Sequence, residues 1–342
     1  MRYLVGLSGG MDSAAVALAL TDAGHDAVGV FLRFFDESDP APARYVAEKL
    51  GIEFHVFDAR REFAESVVAD FAAEYARGRT PNPCALCNRV MKFASLCRAA
   101  EEFACDKVAT GHYANVLEED GRFFVRAGAD KSRDQSYFLW RVSQEELQKT
   151  EMILADAKKR ELSSRVGDLL PKGTRESREV CFVPADDRIS FLEKILPEEA
   201  KRAGDFTDAE GRVLARHGGI FRYTVGQRRG FGTGFGKRVY VKAIDAENAR
   251  VILSDREACE GDSCRLSSVN FQKLAPQDGT YRVLCRVRYR APLLPAVLTV
   301  EGDEARVKLQ GEARAIFAPG QSLVCYDGEE NVLCGGVIEP NF

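Results

Sequence analysis

The sequence predicts an α/β parallel-sheet domain of Rossmann-like type, followed by a small central domain and a C-terminal all-β barrel. Three observations predict it. The first third alternates short apolar runs with helical patterns, which is the signature of a parallel sheet covered on both faces. Glycine becomes frequent after about residue 195. From about residue 264, apolar and polar residues alternate in short runs, as in a barrel or sandwich. At 342 residues the chain exceeds one ordinary core, and the expected units are 1–195, 196–262 and 263–342.

The elements follow in order. Tyr3–Leu7 reads as a buried strand, and Ser13–Ala23 as a helix that is apolar nearly all round and stopped by Gly24. Ala27–Phe34 is the next strand, Ala41–Leu50 a helix and Glu53–Phe57 a strand. A long amphipathic helix is expected over Arg61–Arg77. Lys107–Thr110 then ends a strand at Gly111-His112. Ligands bind beyond the carboxyl ends of strands in such sheets. Tyr137–Trp140, Val239–Ile244 and Val251–Ser254 read as short strands. In the last unit the expected strands are Tyr281–Tyr289, Ala296–Val300, Ala305–Leu309, Ala313–Phe317 and Ser322–Tyr326.

Composition narrows the classes. Apolar content of 45% and charged content of 29% are those of a soluble globular protein. Ten cysteines are too sparse for a disulfide scaffold and indicate a reducing setting. No apolar run approaches the roughly 20 residues that span a bilayer, and the first residues lack a signal-peptide core. A cytoplasmic protein is therefore expected; a monomer is a separate expectation that these observations do not supply. Net charge is −4, yet Gly211 to Ile244 holds no Asp or Glu and eight cations: Arg212, Arg216, Arg222, Arg228, Arg229, Lys237, Arg238 and Lys242. Arg282, Arg286, Arg288 and Arg290 form a second cluster, the last three at strand spacing and so expected on one face. One-signed stretches in an acidic chain point to a polyanion partner; the alternative is a basic loop with salt partners elsewhere.

Two segments carry chemistry. Gly6-Leu7-Ser8-Gly9-Gly10-Met11-Asp12-Ser13 links the first strand to the first helix. Gly9 and Gly10 let main-chain N–H groups close on an anion, and the helix start adds partial positive charge. Asp12 beside a phosphate implies an intervening Mg²⁺. The alternative is an ordinary capped helix start.

The second segment is Thr80-Pro81-Asn82-Pro83-Cys84-Ala85-Leu86-Cys87-Asn88, in which Asn82 and Pro83 open a helix. Cys84 and Cys87 then lie a turn apart near a helix N-terminus with Arg89 and Lys92 nearby, conditions that favour thiolates. A C-x-x-C pair serves as half a zinc site, a redox disulfide, part of an iron–sulfur cluster or a reactive thiol with a neighbour. No second C-x-x-C exists. Cys181 follows a polar, loop-like stretch, whereas Cys97, Cys105, Cys259, Cys264, Cys285, Cys325 and Cys334 read as small buried hydrophobes.

These stretches resemble the tRNA-specific 2-thiouridylase family of the ATP pyrophosphatases. The likeness also takes in Ala109–Ala114, Asp134–Leu139, Val180–Pro184, His217-Gly218-Gly219, Tyr223–Arg228 and Pro319–Ser322, in order and nearly end to end. It implies an N-type ATP pyrophosphatase domain, a central domain and a barrel. It further implies ATP-dependent replacement of O2 by sulfur on a tRNA wobble uridine, through an adenylated intermediate. Nucleotide contacts are implied for Gly6 to Ser13, Leu32 and Gly111. Contacts to tRNA are implied for Asn82, Pro83, Cys84, His112, Arg133, Asp134, Gln135, Tyr289, Arg290 and Gln321. Cys181 would carry sulfur as a persulfide and Cys87 would release it, with a Cys87–Cys181 disulfide as one end point. A cysteine desulfurase, a sulfur relay protein or sulfide would supply the sulfur.

Cys84 departs from the family, much of which has Asp there. Cys84, Cys87 and Cys181 also resemble the ligand set with which related tRNA thiolases hold a [4Fe–4S] cluster, and by that resemblance the cluster mechanism stands slightly ahead. Two other classes stay open: an adenylating enzyme with a small-molecule substrate, and a non-catalytic tRNA-binding protein.

Overall fold

The computed structural model describes residues 1–155, 166–171, 180–184, 187–302 and 304–340. Strands β1 (Arg2–Gly6), β2 (Asp26–Arg33), β3 (Glu53–Asp58), β4 (Lys107–Ala109) and β7 (Thr150–Glu151) form a parallel sheet of order β3-β2-β1-β4-β7. β1 and β2 are buried along most of their length, which is why they read as unbroken apolar runs. Helices α1 (Met11–Asp22) and α2 (Ala41–Leu50) pack their alanines and valines against this sheet. The order reverses between β1 and β4, so the turns after β1, β2 and β4 open on one edge.

The helix expected over Arg61–Arg77 is α3 (Arg60–Phe63) and α4 (Ala69–Ala76), joined through a π turn at Ala64–Val68. Likewise α5 (Pro83–Cys87) runs through a π turn, Asn88–Lys92, into α6 (Phe93–Glu102). A hairpin of β5 (Ala114–Glu119) and β6 (Arg122–Ala127) turns at Asp120-Gly121, both with positive φ, as a two-residue hairpin turn requires. Its signal lies in that Asp-Gly pair.

Tyr137–Trp140 is not a strand. Ser136–Phe138 forms a 3₁₀ turn, and Tyr137, Leu139 and Trp140 are wholly buried because they dock the barrel. Helices α7 (Gln144–Lys149) and α8 (Arg188–Ile195) and a 3₁₀ turn, Gly167–Leu169, follow.

The central unit is a four-stranded sheet of β8 (Gly204–Thr207), β9 (Val213–His217), β10 (Tyr240–Asp245) and β11 (Arg250–Ser254), in the order β10-β11-β8-β9. Phe206 centres an aromatic cluster with Tyr223, Phe231 and Phe235. The last unit is a closed barrel, β12-β15-β14-β13-β16-β17. Its strands are β12 (Ser263–Phe271), β13 (Gly279–Arg286), β14 (Leu294–Glu301), β15 (Glu304–Leu309), β16 (Ser322–Tyr326) and β17 (Val332–Ile338). The apolar run 313–317 contributes no strand, only an isolated bridge between Gly261 and Ala315. β13 ends at Arg286, so Arg286, Arg288 and Arg290 do not share one strand face.

Four of the cysteines read as core, Cys264, Cys285, Cys325 and Cys334, are buried inside the barrel, as is Cys97 in α6; Cys105 and Cys259 are only half-buried. No helix among the described residues is long and apolar enough to cross a membrane.

Strand β16 of the barrel lies against the 3₁₀ turn Ser136–Phe138 and the residues that follow it. Trp140 Nε1 donates to Ser322 Oγ at 2.9 Å, and the Tyr137 hydroxyl donates to the Ser322 carbonyl at 2.7 Å. Val324, Tyr326 and Val332 share one buried cluster with Tyr137, Leu139 and Trp140.

Candidate active site

The turn after β1 is shaped for an anion. Gly9 has φ +79°, and a Cβ there would fall 2.6 Å from the Ala43 nitrogen, so only glycine fits against the start of α2. Ser13 Oγ donates to the Gly10 carbonyl at 3.0 Å and accepts from the Ser8 N–H at 3.1 Å. These bonds fold the loop into a tight bend over the N-terminus of α1, where free N–H groups and the helix dipole favour negative charge. Leu32 lies at the carboxyl end of the adjacent β2 and Gly111 just beyond that of β4. A Cβ on Gly111 would sit 3.0 Å from Asp12, so the β4 turn presses directly on the loop. The Asp12 carboxylate accepts the Tyr113 hydroxyl at 2.7 Å. One oxygen thus remains for a cation, and the donor set fits Mg²⁺ between Asp12 and a phosphate.

The cysteine segment begins as the sequence predicts. Asn82 caps α5 by accepting from the Ala85 N–H at 3.2 Å, and Pro83 takes the first turn. The Asn82 amide also donates to Ser322 Oγ at 3.1 Å, and Gln321 donates to the Thr80 and Pro81 carbonyls at 2.8 and 3.2 Å. The barrel therefore holds this segment. Cys84 and Cys87 are half-buried and Cys181 is exposed; all three are free thiols.

Cys181 acts electrostatically on both other thiols, so the fold gathers the three, which sequence spacing alone leaves far apart. Lys92 is the cation that faces all of them. The expected thiolate conditions are not met. Burial pushes Cys84 up to about 11 and Cys87 up to about 12, outweighing Lys92 and the short helix start. A preformed cluster site is not met either. Among the described residues no three His, Cys, Asp or Glu side chains converge as metal ligands, and an iron–sulfur cluster would need three thiolates.

His112 stands beside Lys92. Its Nε2 lies 3.4 Å from Lys92 Nζ and its Nδ1 2.9 Å from Thr110 Oγ1, while the ring stacks on Phe93 at 5.6 Å. An ammonium only donates, so Nε2 accepts and Nδ1 carries the proton. Burial holds this imidazole well below its ordinary range, as does Lys92, and it is neutral.

The residues expected at tRNA divide. Asp134 is 2% exposed, and its carboxylate takes bonds from Gly128 N, Ser136 N, Ser136 Oγ and Arg286 Nη1. It faces inward and ties the loop after β6 to the barrel. Asn82 and Gln321 are likewise bonded across the joint between the two units, and Pro83 is buried at the start of α5. Gln135 accepts from the Tyr113 N–H at 3.0 Å. Tyr289 packs on Phe138 at 4.5 Å, and Arg290 is exposed over the Tyr289 ring.

The basic stretch also divides. Arg212 pairs with Asp208, Arg216 with Asp205 and Arg222 with Glu193. Arg228, Arg229, Lys237, Arg238 and Lys242 are exposed, and no ion pair involves them among the described residues. Phe231 and Phe235, between them in sequence, anchor the loop in the aromatic cluster. Sequence reading missed the roles of Tyr113 and Arg286. Their partners lie 101 and 152 residues away, and no local pattern reports such pairings.

Family models match in the same order as the three units. The tRNA methyl transferase HUP domain covers residues 1–185, the tRNA methyl transferase PRC-barrel domain 189–255, and the aminomethyltransferase beta-barrel domain 261–338. Among curated relatives, the tRNA-specific 2-thiouridylase MnmA of Syntrophotalea carbinolica is 40% identical over 98% of this chain and 98% of its own. That of Amoebophilus asiaticus is 38% identical over 100% and 96%, and that of Clostridium acetobutylicum 36% over 98% and 99%. With an anion loop at the sheet edge, three gathered cysteines and likeness along the whole length, the chain belongs to the tRNA-specific 2-thiouridylase MnmA family.

Proposed function

We propose that this protein uses ATP to replace O2 of a tRNA wobble uridine with sulfur. The observation that carries the reading is that Cys84, Cys87 and Cys181 lie within electrostatic reach of one another and of Lys92, with His112 at the β4 end linking Lys92 to the nucleotide edge of the sheet. The uridine O2 attacks the α-phosphorus of ATP and pyrophosphate leaves, bound by the loop Ser8–Ser13. Gly6, Leu7, Leu32 and Gly111 border the nucleotide. Asp12 would hold Mg²⁺, which supplies charge neutralisation of the phosphates. Adenylation turns a poor leaving group into AMP.

The terminal sulfur of a Cys181 persulfide then attacks C2 and AMP departs. Cys87 attacks the Cys181 sulfur, forming a Cys87–Cys181 disulfide and freeing the thiolated base; an external thiol reduces the pair for the next turn. Cys181 has the exposure needed to take sulfane sulfur from a persulfide-carrying donor protein, whose own thiol is released, whereas Cys84 and Cys87 are held deeper. Arg133, Gln135, Tyr289, Arg290 and the basic loop are assigned to tRNA. The same reading takes 1–195, 196–262 and 263–342 as the functional units of a cytoplasmic monomer. Incubation with ATP, Mg²⁺, a persulfide donor and unmodified tRNA tests it. Thiolated tRNA is the expected product; pyrophosphate exchange that requires a small substrate and ignores tRNA would overturn it.

A further inference from the structure

One side chain joins the nucleotide loop to the segment assigned to tRNA. Tyr113 is 3% exposed, and its hydroxyl donates to Asp12 Oδ1 at 2.7 Å across 101 residues of sequence. Its main chain is held at both ends by one glutamine: the Tyr113 N–H donates to Gln135 Oε1 at 3.0 Å, and the Gln135 N–H donates to the Tyr113 carbonyl at 3.1 Å.

The surroundings leave this connection little slack. Two residues earlier, Gly111 packs so closely on Asp12 and Ser13 that a Cβ would stand 3.0 and 3.1 Å from their backbones. One residue before Gln135, Asp134 is locked to Arg286 of the barrel. With its carbonyl oxygen committed inward, Gln135 keeps its amide NH₂ as a donor that has no hydrogen-bond partner among the described residues.

From this geometry we infer that Tyr113 is a positioning residue that couples tRNA engagement at Gln135 to nucleotide binding at Asp12. The inference rests on the function proposed above. An RNA acceptor that takes the Gln135 amide fixes the glutamine, the glutamine fixes the Tyr113 main chain, and the phenol fixes the rotamer of Asp12. A carboxylate beside a triphosphate is useful only when aimed at the bridging cation, so the aim of Asp12 governs nucleotide affinity. By linkage, bound nucleotide tightens tRNA by the same factor.

The test is equilibrium binding of a non-hydrolysable ATP analogue with Mg²⁺ to the full chain, with and without unmodified tRNA. In the wild-type chain, tRNA tightens the analogue about fivefold or more. In Tyr113→Phe, which loses only the hydroxyl, the tightening falls to near unity while tRNA affinity measured without nucleotide is unchanged. Gln135→Ala abolishes the tightening from the other end, and carries the test if Tyr113→Phe fails to fold. Wild-type tightening retained in the variant, or none in the wild-type chain, overturns the inference while thiolation stands. A chain that binds neither nucleotide nor tRNA overturns the proposed function and this inference together.

Discussion

Arg286 of the barrel and Asp134 of the loop after β6 form an ion pair at 3.1 Å with Asp134 2% exposed, and the Arg286 guanidinium also lies over the Tyr326 ring. This contact sets the barrel against the strand ends where the site lies. Removing one partner of such a pair leaves a buried charge uncompensated, at about 3–5 kcal/mol. Arg286→Met should therefore lower stability by about that amount in denaturant unfolding. Asp134→Asn combined with Arg286→Met should recover most of it. A neutral single variant would show that the pair does not hold the joint.

Buried histidines set an acid limit. His112 and His217 are both held below their ordinary range, chiefly by burial, so the unfolded chain takes up protons there first as pH falls. Stability attributable to them is intact above about pH 6.5 and declines below it, by about 1.4 kcal/mol per pH unit for each histidine. Unfolding free energies measured from pH 7.5 to 5.5 should show this, and His112→Gln should flatten the slope by about one proton.

The basic loop is expected to act through phosphate charge. Arg228→Ala with Arg229→Ala should weaken tRNA binding, and should reduce the slope of log affinity against log salt by about 1 to 2. Phe231→Ala, which changes no charge, should weaken binding by loosening the anchor while leaving the slope closer to wild type. An unchanged slope in the double arginine variant would remove the loop from the interface.

Burial raises all three thiols, Cys181 included, but only Cys181 is open to solvent, so labelling should follow exposure. With Cys84 near 11, about one thiol in a thousand is ionised at pH 8, and Cys87, near 12, is ionised less still. Iodoacetamide at pH 8 should label Cys181 first, by peptide mass spectrometry, and Cys84 and Cys87 at least about tenfold more slowly. Equal labelling of Cys87 and Cys181 would contradict the burial.

Much of this fold was legible because its signals are local. Buried strands β1 and β2 appear as apolar runs, Asn82-Pro83 announces a helix start, and Gly9 marks a turn that only glycine fits. The failures have a common cause. Tyr137–Trp140 is apolar because it docks the barrel, not because it forms a strand, and Arg286 follows strand spacing yet turns inward to Asp134. Strand β17 escaped because Gly335 and Gly336 interrupt its pattern; Gly335 is there to let Trp140 approach, since a Cβ would fall 2.6 Å from the indole. The site was partly legible: motifs located the loop and cysteines. The burial that raises Cys84 and Cys87 depends on packing from distant elements, including Val180 and Phe182 beside α4.

The most direct measurement is thiolation by protein shown to be free of iron, supplied with ATP, Mg²⁺, a persulfide donor and unmodified tRNA. The account predicts 2-thiouridine from the wild-type chain and from Cys84→Ser, and none from Cys87→Ala or Cys181→Ala. Activity that appears only with about four irons per chain, and is lost in Cys84→Ser, would contradict it.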